Sequence, residues 1–408
     1  NQHIEQKLEE SLAESIALQK EINDLNKKIL EKKNTTWEDK QKMKELTARQ
    51  QALQQKIDEL KQMNAANQAQ QQEFQNDPQT QAKQEEMNEL FNQLSAEEMK
   101  MMLEDIQQMI DNSNKEKTQQ DLDQMKQSNE DMQKDLDRTL ELFRQMQVEM
   151  KMDNLIQKLD NLQQRQDSLS KLTEQKGADN KEMKAAQDSL NKEFDQLRKE
   201  MDELSEMNQK LENPNDIPNT DVQEMQIQQQ QREASQNLNQ GGNKKGAAKN
   251  QKSAADQMKE MSDQMKQARE QMQQDQQEED LQAIRQLLDN LIKLSFDQEA
   301  LMVKVKNTGV NDPQYPALAK EQKRLQDDSK VIEDSLLALS KRNPMLSPLV
   351  NKEITAIKYN MGRSKTALNE RTPGEAQYRQ QLAMTSINNL ALLLNESLES
   401  AMQQLNQQ

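Results

Sequence analysis

The sequence predicts an all-α protein: elongated antiparallel helical hairpins and coiled coils, followed by a small C-terminal four-helix bundle. Three observations carry that expectation. Apolar residues recur at alternating spacings of three and four along most of the chain. The composition leans on Gln, Glu, Lys, Leu, Met and Ala, all strong helix formers. Gly (7) and Pro (8) are too few for a flexible polymer of 408 residues.

The elements follow in order. Residues 4–33 hold a heptad of Ile4, Leu8, Leu18, Ile22, Leu25 and Ile29, with Ser11 and Ser15 in two seam slots. Asn34-Thr35-Thr36 breaks it, and Thr36 with Asp39 has capping-box spacing. A second seam runs Leu46, Gln50, Leu53, Ile57, Leu60, Asn64. So short a connection favours an antiparallel hairpin over 1–78, with arms of roughly 45–60 Å. A Gln- and Asn-rich stretch then leads to Asp77-Pro78. Pattern returns at Met87, Leu90, Phe91 and Leu94. A second capping box at Ser95–Glu98 opens a helix through Met99, Met102, Leu103, Ile106, Met109 and Ile110.

A long helix is expected from about Lys115 to Gln175, completing a region 79–176. Its first seam runs Leu122, Met125, Met132, Leu136, Phe143, Met146, Met150. The second runs Leu155, Leu159, Leu162, Leu169, out of register, so the seam slips near Met152. After Gly177-Ala178-Asp179, region 177–240 holds the cleanest heptad: Met183, Leu190, Phe194, Leu197, Met201, Leu204, Leu211. Asn213-Pro214 stops it, and a weaker helix spans Val222 to Leu238. Region 241–279 combines the Gly-rich stretch Gly241–Gly246 with a Met seam of Ala254, Met258, Met261, Met265 and Met272. From 280 apolar density rises. Breaks near Pro313, Pro344 and Pro373 leave helices near 280–305, 317–341, 349–371 and 375–406, a bundle able to fold alone.

Chemistry finds little footing. The one His is His3 and there is no Cys, so imidazole or thiolate catalysis and Cys-based zinc lack their groups. No Ser stands in a nucleophile-elbow context. Gly241–Gly246 lacks the Gly-Lys-Ser/Thr ending and preceding strand of a phosphate loop, so it reads as a linker. Gln277-Glu278-Glu279-Asp280 lacks the spaced oxygens of a calcium loop and reads as the charged start of a helix. Met258, Met261 and Met265 share a face that soft metals could use, but the spacing is equally that of packing. We expect no cofactor and no enzymatic activity. A net charge of −16 argues against nucleic acid as partner. No run of 18 apolar residues is present to span a membrane. The start Asn1-Gln2-His3 reads as that of an internal fragment.

Several stretches together resemble the large, functionally uncharacterised helical envelope proteins of Bacteroidetes-type bacteria. They are Leu18-Gln19-Lys20-Glu21-Ile22, Trp37-Glu38-Asp39-Lys40, Asp216-Ile217-Pro218 and Ala283-Ile284-Arg285-Gln286-Leu287-Leu288-Asp289-Asn290-Leu291. Leu294-Ser295-Phe296-Asp297-Gln298-Glu299 and Met384–Glu396, which contains Ile387-Asn388-Asn389-Leu390, continue the match. The resemblance implies a larger protein with N-terminal membrane helices and a β-rich extracytoplasmic part. It would place this region on the periplasmic side of the inner membrane. It transfers no functional residues.

The expectation is therefore a structural or interaction region acting through protein partners or self-association. Its candidate packing or partner seam is Met183, Leu190, Phe194, Leu197, Met201, Leu204 and Leu211, with Leu287, Leu291, Ile387, Leu390 and Leu394. If the Met183–Leu211 heptad finds no cover within the chain, a subunit of a secretion or motility machine becomes the better reading. A regulatory binding module for an envelope enzyme or polymer is the third.

Overall fold

The computed structural model describes residues 2–72, 114–175, 179–239, 243–341 and 347–405, and between the first two stretches Asn88, Phe91, Leu94, Leu103, Glu104, Ile106, Gln107 and Ile110. Among these residues the protein is all-α, without strands. The helices are α1 (Gln2–Glu31), α2 (Trp37–Gln72), α3 (Lys115–Glu174), α4 (Asn180–Gln209), α5 (Asp221–Asn239), α6 (Lys244–Asn307), α7 (Tyr315–Ser340), α8 (Ser347–Asn369) and α9 (Pro373–Leu405). Expectations at Pro78, Met87, Leu90, Ser95–Glu98, Met99, Met102, Met109, Gly177-Ala178, Gly241-Gly242 and Pro344 fall outside the described residues.

The helices assemble into two compact units, Asn1–Phe143 with Gln277–Gln408, and Arg144–Gln276. Helices α3 and α6 give residues to both. The divisions fall after Phe143 and Gln276, each inside a helix.

In the first unit, α1 and α2 form the hairpin. Thr36 and Asp39 cap reciprocally: Thr36 N donates to Asp39 at 3.0 Å and Asp39 N to Thr36 Oγ1 at 3.3 Å. Lys7 meets Glu59 at 3.3 Å and Lys42 meets Glu21 at 2.7 Å, which makes the two helices antiparallel. The α1 seam, Ser11 and Ser15 included, is buried. Phe91 stacks edge-on against Phe143 of α3, their centroids 5.8 Å apart. A second core in this unit comes from α6 (from Ile284 on), α7, α8 and α9. Lys304–Glu321 with Arg324–Asp297, Ser364–Gln322 with Lys358–Glu333, Asn389–Glu353 with Arg379–Asn360, and Ser295–Asn388 with Arg285–Met402 set each helix antiparallel to its neighbours. Arg371, at φ 60, closes α8 in the left-handed conformation. Thr372 N then reaches Ala367 O at 2.9 Å and Arg371 N reaches Leu368 O at 3.2 Å, a Schellman stop just before Pro373 opens α9.

The second unit packs the rest of α3 and the first part of α6 with α4 and α5 around a core of Leu, Met, Ile and Phe. Lys151–Glu203, Lys158–Glu200 and Arg165–Glu193 bind α3 to α4 as antiparallel partners. Lys252–Asp167, Lys266–Asp160 and Arg269–Asp153 do the same for α3 and α6.

Two expectations are corrected. Helix α6 is continuous from Lys244 to Asn307, so Gln277–Asp280 lies inside it and starts nothing. The reason is local: no Gly or Pro interrupts 247–307, and Gln and Glu propagate a helix well. The expected linker is also partly helix. Asn243 caps α6 by accepting from Gly246 N at 3.0 Å. A Cβ on Gly246 would stand 2.5 Å from the Asn243 side-chain nitrogen, so a larger residue there would require that amide to shift.

Candidate functional site

Sequence reasoning placed function on the seams, and the structure turns those seams inward. Leu190, Phe194, Leu197, Met201, Leu204 and Leu211 are buried in the second unit against Leu155, Leu159, Leu162, Ile227 and Met258, with Met183 packed at the edge. The heptad is therefore covered by this chain's own helices. Met258, Met261 and Met265 face the same core, buried among carbon side chains. Leu287, Leu291, Ile387, Leu390 and Leu394 lie in the core of α6–α9.

Sequence reasoning missed the polar layers inside those seams. In the second unit Gln166, Gln187, Gln231 and Gln251, one from each helix, are all buried. Gln166 and Gln187 exchange hydrogen bonds at 2.8 and 3.0 Å, and Gln231 donates to Gln166 Oε1 at 3.1 Å. In the α6–α9 core, Gln322 Oε1 accepts from Gln298 at 3.2 Å, Ser364 at 3.1 Å and Gln380 at 2.9 Å. Again each helix gives one residue. Between α1 and α3, Asn129 accepts from Ser15 Oγ and donates to Ser15 O and Gln19. A buried amide fixes helix register, because a slide leaves it unpaired. The signal was available: Leu162 to Leu169 and Met183 to Leu190 each skip a slot, which a Gln fills.

A buried ionic group joins α3, α7 and α8. Glu333 pairs with both Lys134 and Lys358. Burial opposes its charge, but the Lys134 hydrogen bond and the two ammonium groups outweigh it and hold its carboxyl below the ordinary range. Nearby Asp131 is pushed up, because burial exceeds what Gln127, the two lysines and Thr355 return. Burial likewise opposes Lys358, yet Glu333, Glu130 and Asp131 keep its pKa raised. No sequence period could foretell this group.

Among the described residues no three His, Cys, Asp or Glu side chains are placed to hold a metal. No described helix is long and apolar enough to cross a membrane. A groove of about 370 Å³ between α3 and α4 is lined by Asn154, Gln157, Lys158 and Glu193 together with Leu162 and Leu197.

Fold and layers together define an all-α helical bundle protein. No family model, curated protein or solved structure matches the chain.

Proposed function

We propose that the chain is a non-enzymatic structural and interaction region of a membrane-tethered cell-envelope protein, lying on the periplasmic side of the inner membrane. It works by holding rigid helical faces out to protein partners. One observation supports this most: the interior seams are closed and register-locked, while large apolar side chains stand on outer faces. Trp37 is 73% exposed, Phe296 66% and Leu392 63%. Among these, an exposed Trp is of the kind enriched at the anchors of protein interfaces. The envelope setting rests on the resemblance carried by Ala283–Leu291 and Met384–Glu396. The machine-subunit alternative drew on an open Met183–Leu211 heptad, and with that heptad buried it has no separate support.

The test is capture of the tagged full-length protein from gently cross-linked native membranes, read by quantitative mass spectrometry. A discrete set of envelope proteins at fixed stoichiometry is expected. Recovery of cytoplasmic proteins alone would sink the envelope setting.

A further inference from the structure

We infer that the outer face of α6 pairs with the same face of a second copy of this chain, antiparallel and about a two-fold axis. The inference rests on the interaction reading above and names one partner for it.

The inner face of α6 is committed to its own core through Leu287, Leu291, Leu294, Leu301 and Val305. The opposite face carries Asp289, Ile292, Phe296, Glu299, Val303 and Lys306, all exposed. Their spacings run three, four, three, four, three, a seam pattern that reads the same in both directions. Ile292, Phe296 and Val303 are 47%, 66% and 49% exposed, large for apolar groups in mid-helix.

Charge complementarity selects the occupant. Reversed against itself, this stripe sets Asp289 opposite Lys306, Ile292 opposite Val303 and Phe296 opposite Glu299, twice over. A parallel pairing would set Asp289 on Asp289 and Lys306 on Lys306, which is repulsive. The flanks agree: Lys293 falls opposite Ala300 and Ser295 opposite Met302, so like charges do not meet. Glu299 is the one poor fit near the axis. Lys293 of the second copy, one turn along its flank, has the length to answer it while the Glu299 stem lies on the Phe296 ring.

A second helix lies alongside. Ser295 donates to Asn388 at 2.8 Å and Arg285 meets Met402 at 3.9 Å, so α9 runs antiparallel beside α6. That places Leu392, also exposed, level with Ile292 along the helix pair.

The test uses the full 408-residue chain, which has no Cys, so introduced thiols stand alone. Chains carrying Ile292→Cys, mixed with chains carrying Val303→Cys, should form disulfide dimers under mild oxidation. Neither variant should cross-link with itself, since antiparallel pairing separates identical positions by about 16 Å along the axis. Sedimentation over a concentration series should show a dimer whose Kd rises at least about tenfold in Phe296→Asp. Glu299→Leu should lower it by about tenfold, because a charge near the axis becomes a seam leucine. Asp289→Lys should weaken it by about fivefold, and adding Lys306→Asp should restore it. Circular dichroism should be unchanged in each, as these side chains are exposed.

A chain that stays monomeric, or one in which Ile292→Cys cross-links with itself, overturns the inference. If that monomeric chain still captures a fixed set of envelope proteins, only the dimer falls and the interaction reading stands.

Discussion

Gln322 accepts from Gln298, Ser364 and Gln380 on one oxygen, so a slide of any of these helices strands a buried donor. Gln322→Leu should therefore cost about 3 kcal/mol or more, through the orphaned partners rather than through its own lost bond. Gln251 is the opposite case. It is buried, yet both side-chain heteroatoms lack a partner. Gln251→Leu should raise stability by about 1–2 kcal/mol in urea titration. A loss of stability there would mean that the amide is satisfied in solution. Asp39 supplies a pH test. Burial raises its pKa, but Lys32 and Thr36 hydrogen bonds prevail and bring it from 3.8 to about 2. A depressed pKa gives stability that is complete above the unfolded value and lost as pH falls through the folded one. The window is thus about pH 4 down to 2, worth roughly 2 kcal/mol. Asp39→Asn should lose that amount at pH 7 and flatten the dependence. Ser15 and Gln50 were legible as seam slots, and Gln166 and Gln187 could have been. That Gln322 would serve three partners was not, because period gives a residue's face and says nothing of its neighbours across the core.

At the scale of elements, the sequence was most informative where apolar spacing met a cap or a proline. Helix α3 was expected from Lys115 to Gln175 and runs Lys115–Glu174, because Asn114 takes Lys117 N at 2.8 Å and starts it cleanly. The rise in apolar density near 280 reads as a new helix, yet α6 runs on through it from Lys244 to Asn307. Density reflects how closely a helix is surrounded, whereas a helix ends only where backbone geometry or capping ends it. Helix α9 offers a sharp contrast between its faces. Leu390 is fully buried and Leu392 is 63% exposed, two residues apart. Leu390→Ala should cost about 2–5 kcal/mol, and Leu392→Ala should stay within about 0.5 kcal/mol. Equal thermal melts for the two would contradict the face assignment.

For the molecule as a whole, the question is what the C-terminal region owes to the rest of its unit. The sequence suggested that 280–408 folds alone, and its apolar core does lie within Ile284–Leu394. Its ionic contacts do not. Glu333 shares its charge between Lys358 and Lys134, Lys341 meets Asp137 at 2.7 Å, and Thr355 donates to Asp131 at 3.3 Å. A fragment of 277–408 keeps its leucines but loses Lys134, Asp137 and Asp131. It should remain helical and cooperative, because apolar burial supplies most of the drive to fold. It should also be less stable by about 2–3 kcal/mol, since a buried carboxylate has lost one of two cations. For a domain of this size that is a Tm lower by about 10 °C than the same helices show in the full chain. Hydrogen exchange at α7 and α8 reads this directly, as it follows those helices in both settings. Replacing Glu333 and Lys358 together by Gln and Met in the fragment should recover part of the loss, because no buried charge then lacks its partner. Equal protection in fragment and full chain would mean that the ionic group contributes register without stability.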